Sequence, residues 1–475
     1  MTGEENWTGY FYRAPNDNAL RTAKVNTALA RYGRSVTATS GAASRYGWET
    51  SGAADKYARW NTSVTGASAA DDYRNEINGQ GYVVEIDPYN ATSVIKKRTA
   101  LGRMAHESAA FSKPVVGKPV AVYMGDDAQN EYIYKFVSTA TWLASDAAAT
   151  DRVAVGDKYL DSGKLYVARF NPDGSGVWLE LSLANATVAT YATYAFADAG
   201  DVSMHSRIAA DAVGATKMDR PEWCGVSPVT GEIYFTLTNN SSRRVVPAAG
   251  QTAVDPANPR AYSDIRGAAT TQQGNVNGHI VRLRDTGNDP AAVTFAWDVY
   301  LFGAESGSSQ TLVSLSGLTS DQDFSSPDGL VFAPSTGLCW IQTDDGAFTD
   351  ATNCMMLAGL PGQVGDGGAM TLDYGGGATV TTRMGKKPTA STLKRFFVGP
   401  VDQEITGLCE TPDGKTIFIN VQHPGEGTST TVIADPTRFT SHCPGNAGYG
   451  AGGASARPRS ATVMITKNDG GRIGT

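Results

Sequence analysis

The sequence predicts an all-β chain built as a β-propeller, and three observations carry that reading. Gly (53) and Pro (21) make up about one residue in six of 475, above the average usage of ~12 %, which favours short strands and turns over long helices. Short runs of β-branched and aromatic residues bounded by turn formers recur along the chain. Three segments also repeat one pattern: a Gly-led strand, a Pro/Asp/Gly turn and an apolar strand. They are Gly225–Phe235, Gly329–Ile341 and Gly407–Ile419, and that pattern is the inner hairpin of a propeller blade. Their starts lie further apart than a ~40–50-residue blade repeat, so insertions fill the difference. Three unrelated hairpins in an all-β sandwich would also carry the pattern.

The other elements follow from the same signals. Gly81–Pro88 reads as a strand; Val120–Asp127 with Tyr132–Val137, and Lys164–Phe170 with Gly176–Leu181, read as hairpins. Insertions are expected near 35–70, 184–215, 245–275 and 425–460. In the first, Tyr46, Trp48, Tyr57 and Trp60 can anchor helix and loop to a core. The second has an Ala-rich helical rhythm, and the last two are Gly/Pro/Ser/Thr-rich loops. A single domain over 1–475 accommodates all of this.

Composition excludes several classes. Hydrophobic residues are 41 % and charged residues 18 %, enough for a core and against disorder. With 40 Lys+Arg against 47 Asp+Glu, the chain lacks the broad basic surface that nucleic-acid binding needs. No 18-residue apolar run exists to form a membrane helix. The five cysteines form no CxxC pair, so zinc knuckles and dithiol redox motifs are unsupported, while zero, one or two disulfides are all compatible. Met1–Trp7 has neither a basic nor an apolar leader segment, so the expectation is a cytoplasmic protein or an internal start.

The candidate chemistry sits just before the repeats. Glu222 is three residues ahead of Gly225, Glu404 three ahead of Gly407, and Asp328 one ahead of Gly329. In extended chain, offsets of three and one share a face. Carboxylates brought together in this way repel unless a hard cation neutralises them. Arg220 shares the face of Glu222 and suits a bidentate phosphate contact, or a plain salt bridge. His106-Glu107 and Asp126-Asp127 are further candidates, each also compatible with a surface or turn role. No P-loop, Rossmann fingerprint or nucleophile elbow is present.

These residues carry a family resemblance. Glu4-Glu5-Asn6-Trp7, Leu101-Gly102-Arg103 with His106-Glu107, Gly125-Asp126-Asp127, and Arg220-Pro221-Glu222-Trp223 with Thr238-Asn239-Asn240 resemble the PhoX family of bacterial alkaline phosphatases. Gly278-His279-Ile280, Ser326-Pro327-Asp328-Gly329, Gly399-Pro400 with Glu404-Ile405-Thr406-Gly407, and Asn420 through Glu426 continue it in family order. The resemblance implies a six-bladed β-propeller hydrolysing small phosphate monoesters at a cluster of Fe3+ and Ca2+ in its channel. It implies metal ligation by Glu4, Glu5, Glu107, Asp126, Glu222 and Asp328, with Arg220 as phosphate clamp and Arg220 and Glu222 as catalytic residues. Glu404, Asp127 and His106 are possible additions. It also implies a monomer exported by a twin-arginine signal to the periplasm or beyond.

The family pattern sets an Asn-Cys-Ala-Gly-Gly stretch, with an iron-binding cysteine, before its Glu-Glu-Asn. None of the five cysteines here stands in that place. The expectation is therefore an N-terminally incomplete member whose first blade is partial. The alternative is a catalytically silent, calcium-binding or scaffold propeller.

Overall fold

The computed structural model describes residues 1–266, 270–344, 352–450 and 452–475. The chain is mostly β and divides into two compact units. The first comprises Met1–Asp127, Glu131–Arg169 and Trp178–Thr216; the second comprises Ala128–Asn130, Phe170–Val177 and Lys217–Thr475. No helix among the described residues is long and apolar enough to cross a membrane.

In the first unit, β1 (Thr2–Gly3), β2 (Val83–Glu85) and β3 (Lys96–Lys97) form a small antiparallel sheet. Four longer strands pair antiparallel in chain order: β4 (His106–Phe111), β5 (Pro119–Asp126), β6 (Ile133–Thr141) and β7 (Gly163–Phe170). The expected partner of β7 forms over Ser175–Glu180. Val122, Met124, Tyr134, Phe136 and Val167 project from these strands into one buried cluster. Three helices flank the strands: α1 (Ala23–Arg31), α2 (Arg152–Leu160) and α3 (Ser206–Val213). Thr22 and Asp151 cap the first two by accepting from Val25 N and Ala154 N. The 35–70 segment is held as expected by aromatic contact, with Trp60 5.2 Å from both Tyr10 and Phe11.

Three runs of antiparallel strands in the second unit are each opened by one of the hairpins expected from the repeats. The first is β8 (Pro221–Val226), β9 (Ile233–Leu237), β10 (His279–Asp285) and β11 (Thr294–Phe302). The second is β12 (Pro327–Phe332), β13 (Cys339–Thr343), β14 (Met355–Gly359) and β15 (Leu393–Val398). The third is β16 (Glu404–Glu410), β17 (Thr416–Gln422) and β18 (Ala461–Thr466). The opening turns end on Gly231, Gly337 and Gly414, with φ of 74°, 73° and 70°, a left-handed conformation that only glycine adopts without steric cost. Strand alternation fills two clusters at once: Cys339 and Ile341 enter one, and Trp340 between them enters the other.

The 184–215 insertion contains three short helices, and 425–460 is a chain of 3-10 turns apart from residue 451, which lies outside the described residues. In 245–275 a hairpin forms from Tyr262–Arg266 and Thr270–Gly274, and residues 267–269 lie outside the described residues. No disulfide joins the cysteines among the described residues.

Candidate functional site

In the first unit a β-bulge aims one acid. On β4, Glu107 and Ser108 together oppose a single residue of β5, because His106 pairs with Asp126 and Ala109 with Met124. Such a bulge breaks the two-residue alternation and re-aims its first side chain. Oxygens of Glu107, Glu5 and Asp127 lie within 4.8 Å of one another. The neighbouring residue of each does a different job. Asp126 is fully buried; its Oδ2 accepts from Arg207 Nε at 2.8 Å, and its Oδ1 accepts from Arg207 Nη2 at 2.5 Å and Ala105 N at 3.0 Å. Burial opposes the Arg207 charge, yet Asp126 and Glu131 outweigh it and push its pKa up. Glu4 accepts from Gly81 N, Tyr82 N and Lys97 Nζ, at 2.9, 3.0 and 2.6 Å. His106 lies fully buried with Nε2 3.1 Å from Gly102 O, and burial holds its pKa below the usual range. The N-terminal segment reaches β4 because position 3 is glycine: a Cβ there would stand 2.0 Å from His106 O.

The same bulge recurs twice in the second unit. Glu222 and Trp223 oppose Thr236 alone, and Asp328 and Gly329 oppose Gln342 alone. The acid is again the first bulged residue. Glu222 and Asp328 are both buried and present oxygens within 4.8 Å of each other. Thr236 Oγ1 sits 2.6 Å from Asp328 O and 3.2 Å from Trp223 O, tying the two hairpins together at this point. Arg220 Nη2 lies 2.8 Å from Glu222 Oε1.

A second regularity accompanies the first. Two residues before Glu222, Asp328 and Glu404 stand Arg220, Ser326 and Asp402, with φ of 59°, 48° and 51°. Left-handed backbone in a non-glycine residue costs of order 1–3 kcal/mol and persists where surroundings hold it. Arg220 and Ser326 also precede prolines. At Arg220 the restraint is visible. Thr238 N donates to its carbonyl at 3.2 Å. The preceding Asp219, fully buried, accepts from Arg243, Asn240 and Asn275 at 2.7–2.9 Å.

The family model for alkaline phosphatase PhoX matches residues 1–425. This chain belongs to the PhoX family. The solved structure of Pseudomonas fluorescens PhoX in complex with vanadate, a transition-state analogue, is 34 % identical, with a TM-score of 0.71. That match covers 99 % of this chain and 68 % of the other. Among curated proteins there is no match. The chain is accordingly a phosphatase of the PhoX type.

In this PhoX-family chain, one further group joins Glu404 to two residues, Asp344 and His423, that the sequence did not single out. Asp344, immediately after β13, Glu404 at the start of β16 and His423 immediately after β17 bring ligand-type atoms within 4.8 Å of one another. His423 Nε2 lies 3.5 Å from Glu404, and its Nδ1 lies 3.3 Å from Glu426. The Glu404 contact holds the His423 pKa above its usual value. Burial pushes the Asp344 carboxyl up to about 6 and Glu404 adds to it, while His423 and Arg220 pull the other way. The missed signal was positional: Asp344 and His423 follow the second strand of a hairpin whose first strand opens with a named acid.

Proposed function

We propose that this chain hydrolyses phosphate monoesters, gripping the phosphoryl group with Arg220 and holding hard cations on its clustered carboxylates. The observation that carries the reading is the Arg220 turn, with its guanidinium 2.8 Å from Glu222 and the Glu222 carboxylate within 4.8 Å of that of Asp328. A guanidinium offers paired N–H donors that match two phosphate oxygens. Held in an anchored left-handed turn, it loses little freedom when the substrate arrives.

The donor chemistry fits the implied ions. Glu5, Glu107 and Asp127 offer oxygen alone, as do Glu222 and Asp328, and oxygen donors suit calcium and ferric iron, both hard cations. Asp126 and Glu4 serve as struts, since Arg207, Lys97 and backbone amides already take their oxygens. His106 is likewise a core residue. When bound, such ions supply Lewis acidity and neutralise charge on the phosphoryl oxygens. Arg220 orients the ester, and Glu222 holds Arg220 in place before substrate binds. Water replaces the ester oxygen on phosphorus, and the alcohol leaves with a proton from that water.

The finer reading of the fold follows: the three hairpins of the second unit are inner strand pairs of blades in a six-bladed propeller spanning 1–475. The protein acts as a monomer outside the cytoplasm. Elemental analysis together with p-nitrophenyl phosphate hydrolysis at alkaline pH tests the function. Activity should vanish with a calcium chelator, and Glu222→Gln should lose metal and turnover while its circular dichroism stays native. Activity unchanged in excess chelator, or full metal content in Glu222→Gln, rejects the reading.

A further inference from the structure

Beside the Arg220 turn, the second unit carries a cleft of about 520 Å3. Gln129, Asn239, Ser241, Gln272 and Gln273 line it; among its described lining residues only Val276 is apolar and only Arg244 is charged. Two of its lining residues are chain neighbours of the segments that carry the proposed phosphate grip. Asn239 follows Thr238, whose N–H donates to Arg220 O at 3.2 Å. Ser326, the other, is the left-handed residue two positions before Asp328.

The cleft wall is pre-built. Asn275 lines it and is fully buried, donating from Nδ2 to Asp219 at 2.9 Å and accepting at Oδ1 from Arg260 at 2.8 Å. Its backbone is locked to Asn240 in both directions, at 2.9 and 3.0 Å. Gln129 Nε2 donates to Ser241 Oγ at 3.0 Å. The residues that fix Arg220 through Asp219 therefore also fix this wall.

We infer that the cleft receives the leaving group of the phosphate ester and selects a polyhydroxylated alcohol over an aryl one. The inference rests on the reading of Arg220 as the phosphate grip. A carboxamide both donates and accepts, as a hydroxyl does, so a surface rich in Gln, Asn and Ser satisfies a sugar or glycerol moiety. The cleft has no aromatic side chain among its described lining on which an aryl group would stack. A leaving group without hydroxyls would strip water from these amides and return nothing.

The test compares kcat/KM for a hexose phosphate and for phenyl phosphate in the wild type and in the Gln272→Leu/Gln273→Leu double variant. Gln273 is exposed and Gln272 half-buried, so the variant keeps its fold. The hexose phosphate should lose about tenfold, as expected for two neutral hydrogen bonds. Phenyl phosphate should hold or rise, because its leaving group no longer strips water from two amides, and inhibition by inorganic phosphate should change less than twofold. Equal losses on both substrates, or an unchanged hexose phosphate, overturn the inference while leaving Arg220 its role. A rise in the phosphate inhibition constant of Arg220→Ala no larger than that of the double variant overturns the grip itself, and this inference with it.

Discussion

The β4–β5 hairpin of the first unit and the β8–β9 hairpin of the second solve one problem in two ways. Both make an acid, Glu107 or Glu222, the first residue of a two-against-one bulge. The chain enters β8 through a left-handed Arg220, held from behind by Asp219. No such residue precedes Glu107; it gains its company instead from Glu5 and Asp127, each beside a neighbour spent as a strut. The bulge aims the carboxylate, and what surrounds it depends on how the chain arrives. In the first unit it meets other acids; in the second it meets a guanidinium as well.

The largest expected effect tests the second arrangement. Arg220→Ala should lower kcat/KM for phosphate monoesters by roughly 10³-fold, the scale of losing a pre-placed group that stabilises developing charge. Lysine at the same place should recover only part of it, because a point charge cannot make the forked contact. A loss under tenfold would erase the functional difference between the hairpins.

The first arrangement is sharpened by separating strut from ligand. Asp126→Asn should cost about 3 kcal/mol in denaturant unfolding, because it leaves the buried Arg207 without its main counter-charge. Asp127→Asn should leave stability in chelator unchanged and reduce bound calcium. Identical behaviour of the two variants would mean that strand alternation does not sort them.

The smallest effect concerns Asp344 in metal-free protein. Its folded pKa of about 6 exceeds the ordinary 3.8, chiefly through burial, so the unfolded chain ionises first. The stability this group allows is intact below pH 4 and is lost as pH rises through 6. Asp344→Asn should then raise Tm by roughly 2–4 °C at pH 8 and leave it unchanged at pH 4. A gain independent of pH would assign the effect to packing.

Much of this was legible in the sequence, for definable reasons. The three second-unit hairpins could be read because their turns need glycine at Gly231, Gly337 and Gly414, and because their strands alternate apolar residues. Glu222 and Asp328 do share a register, each the first residue of its bulge, but the glycines used to phase them do not: Gly225 pairs with Tyr234, whereas Gly329 is itself the second bulged residue. What the sequence hides is which of two adjacent ionisable residues faces a buried arginine: Asp126 and Asp127 are chemically identical until α3 supplies Arg207. Nor does it reveal left-handed backbone at arginine, serine or aspartate, since none of these marks such a turn as glycine does. Asp344 and His423 escaped because strand ends carry no composition signal of their own.

The left-handed residues ahead of the three acids have a practical consequence for anyone seeking a sturdier enzyme. Glycine at position 402 would release conformational tension without touching the proposed phosphate grip; at 326 it would also take a hydroxyl from the cleft lining. At position 220 the same exchange would discard the side chain that the tension holds ready. Position 402 can thus be tuned for endurance, 326 trades it against the cleft, and 220 marks where robustness and turnover would part company.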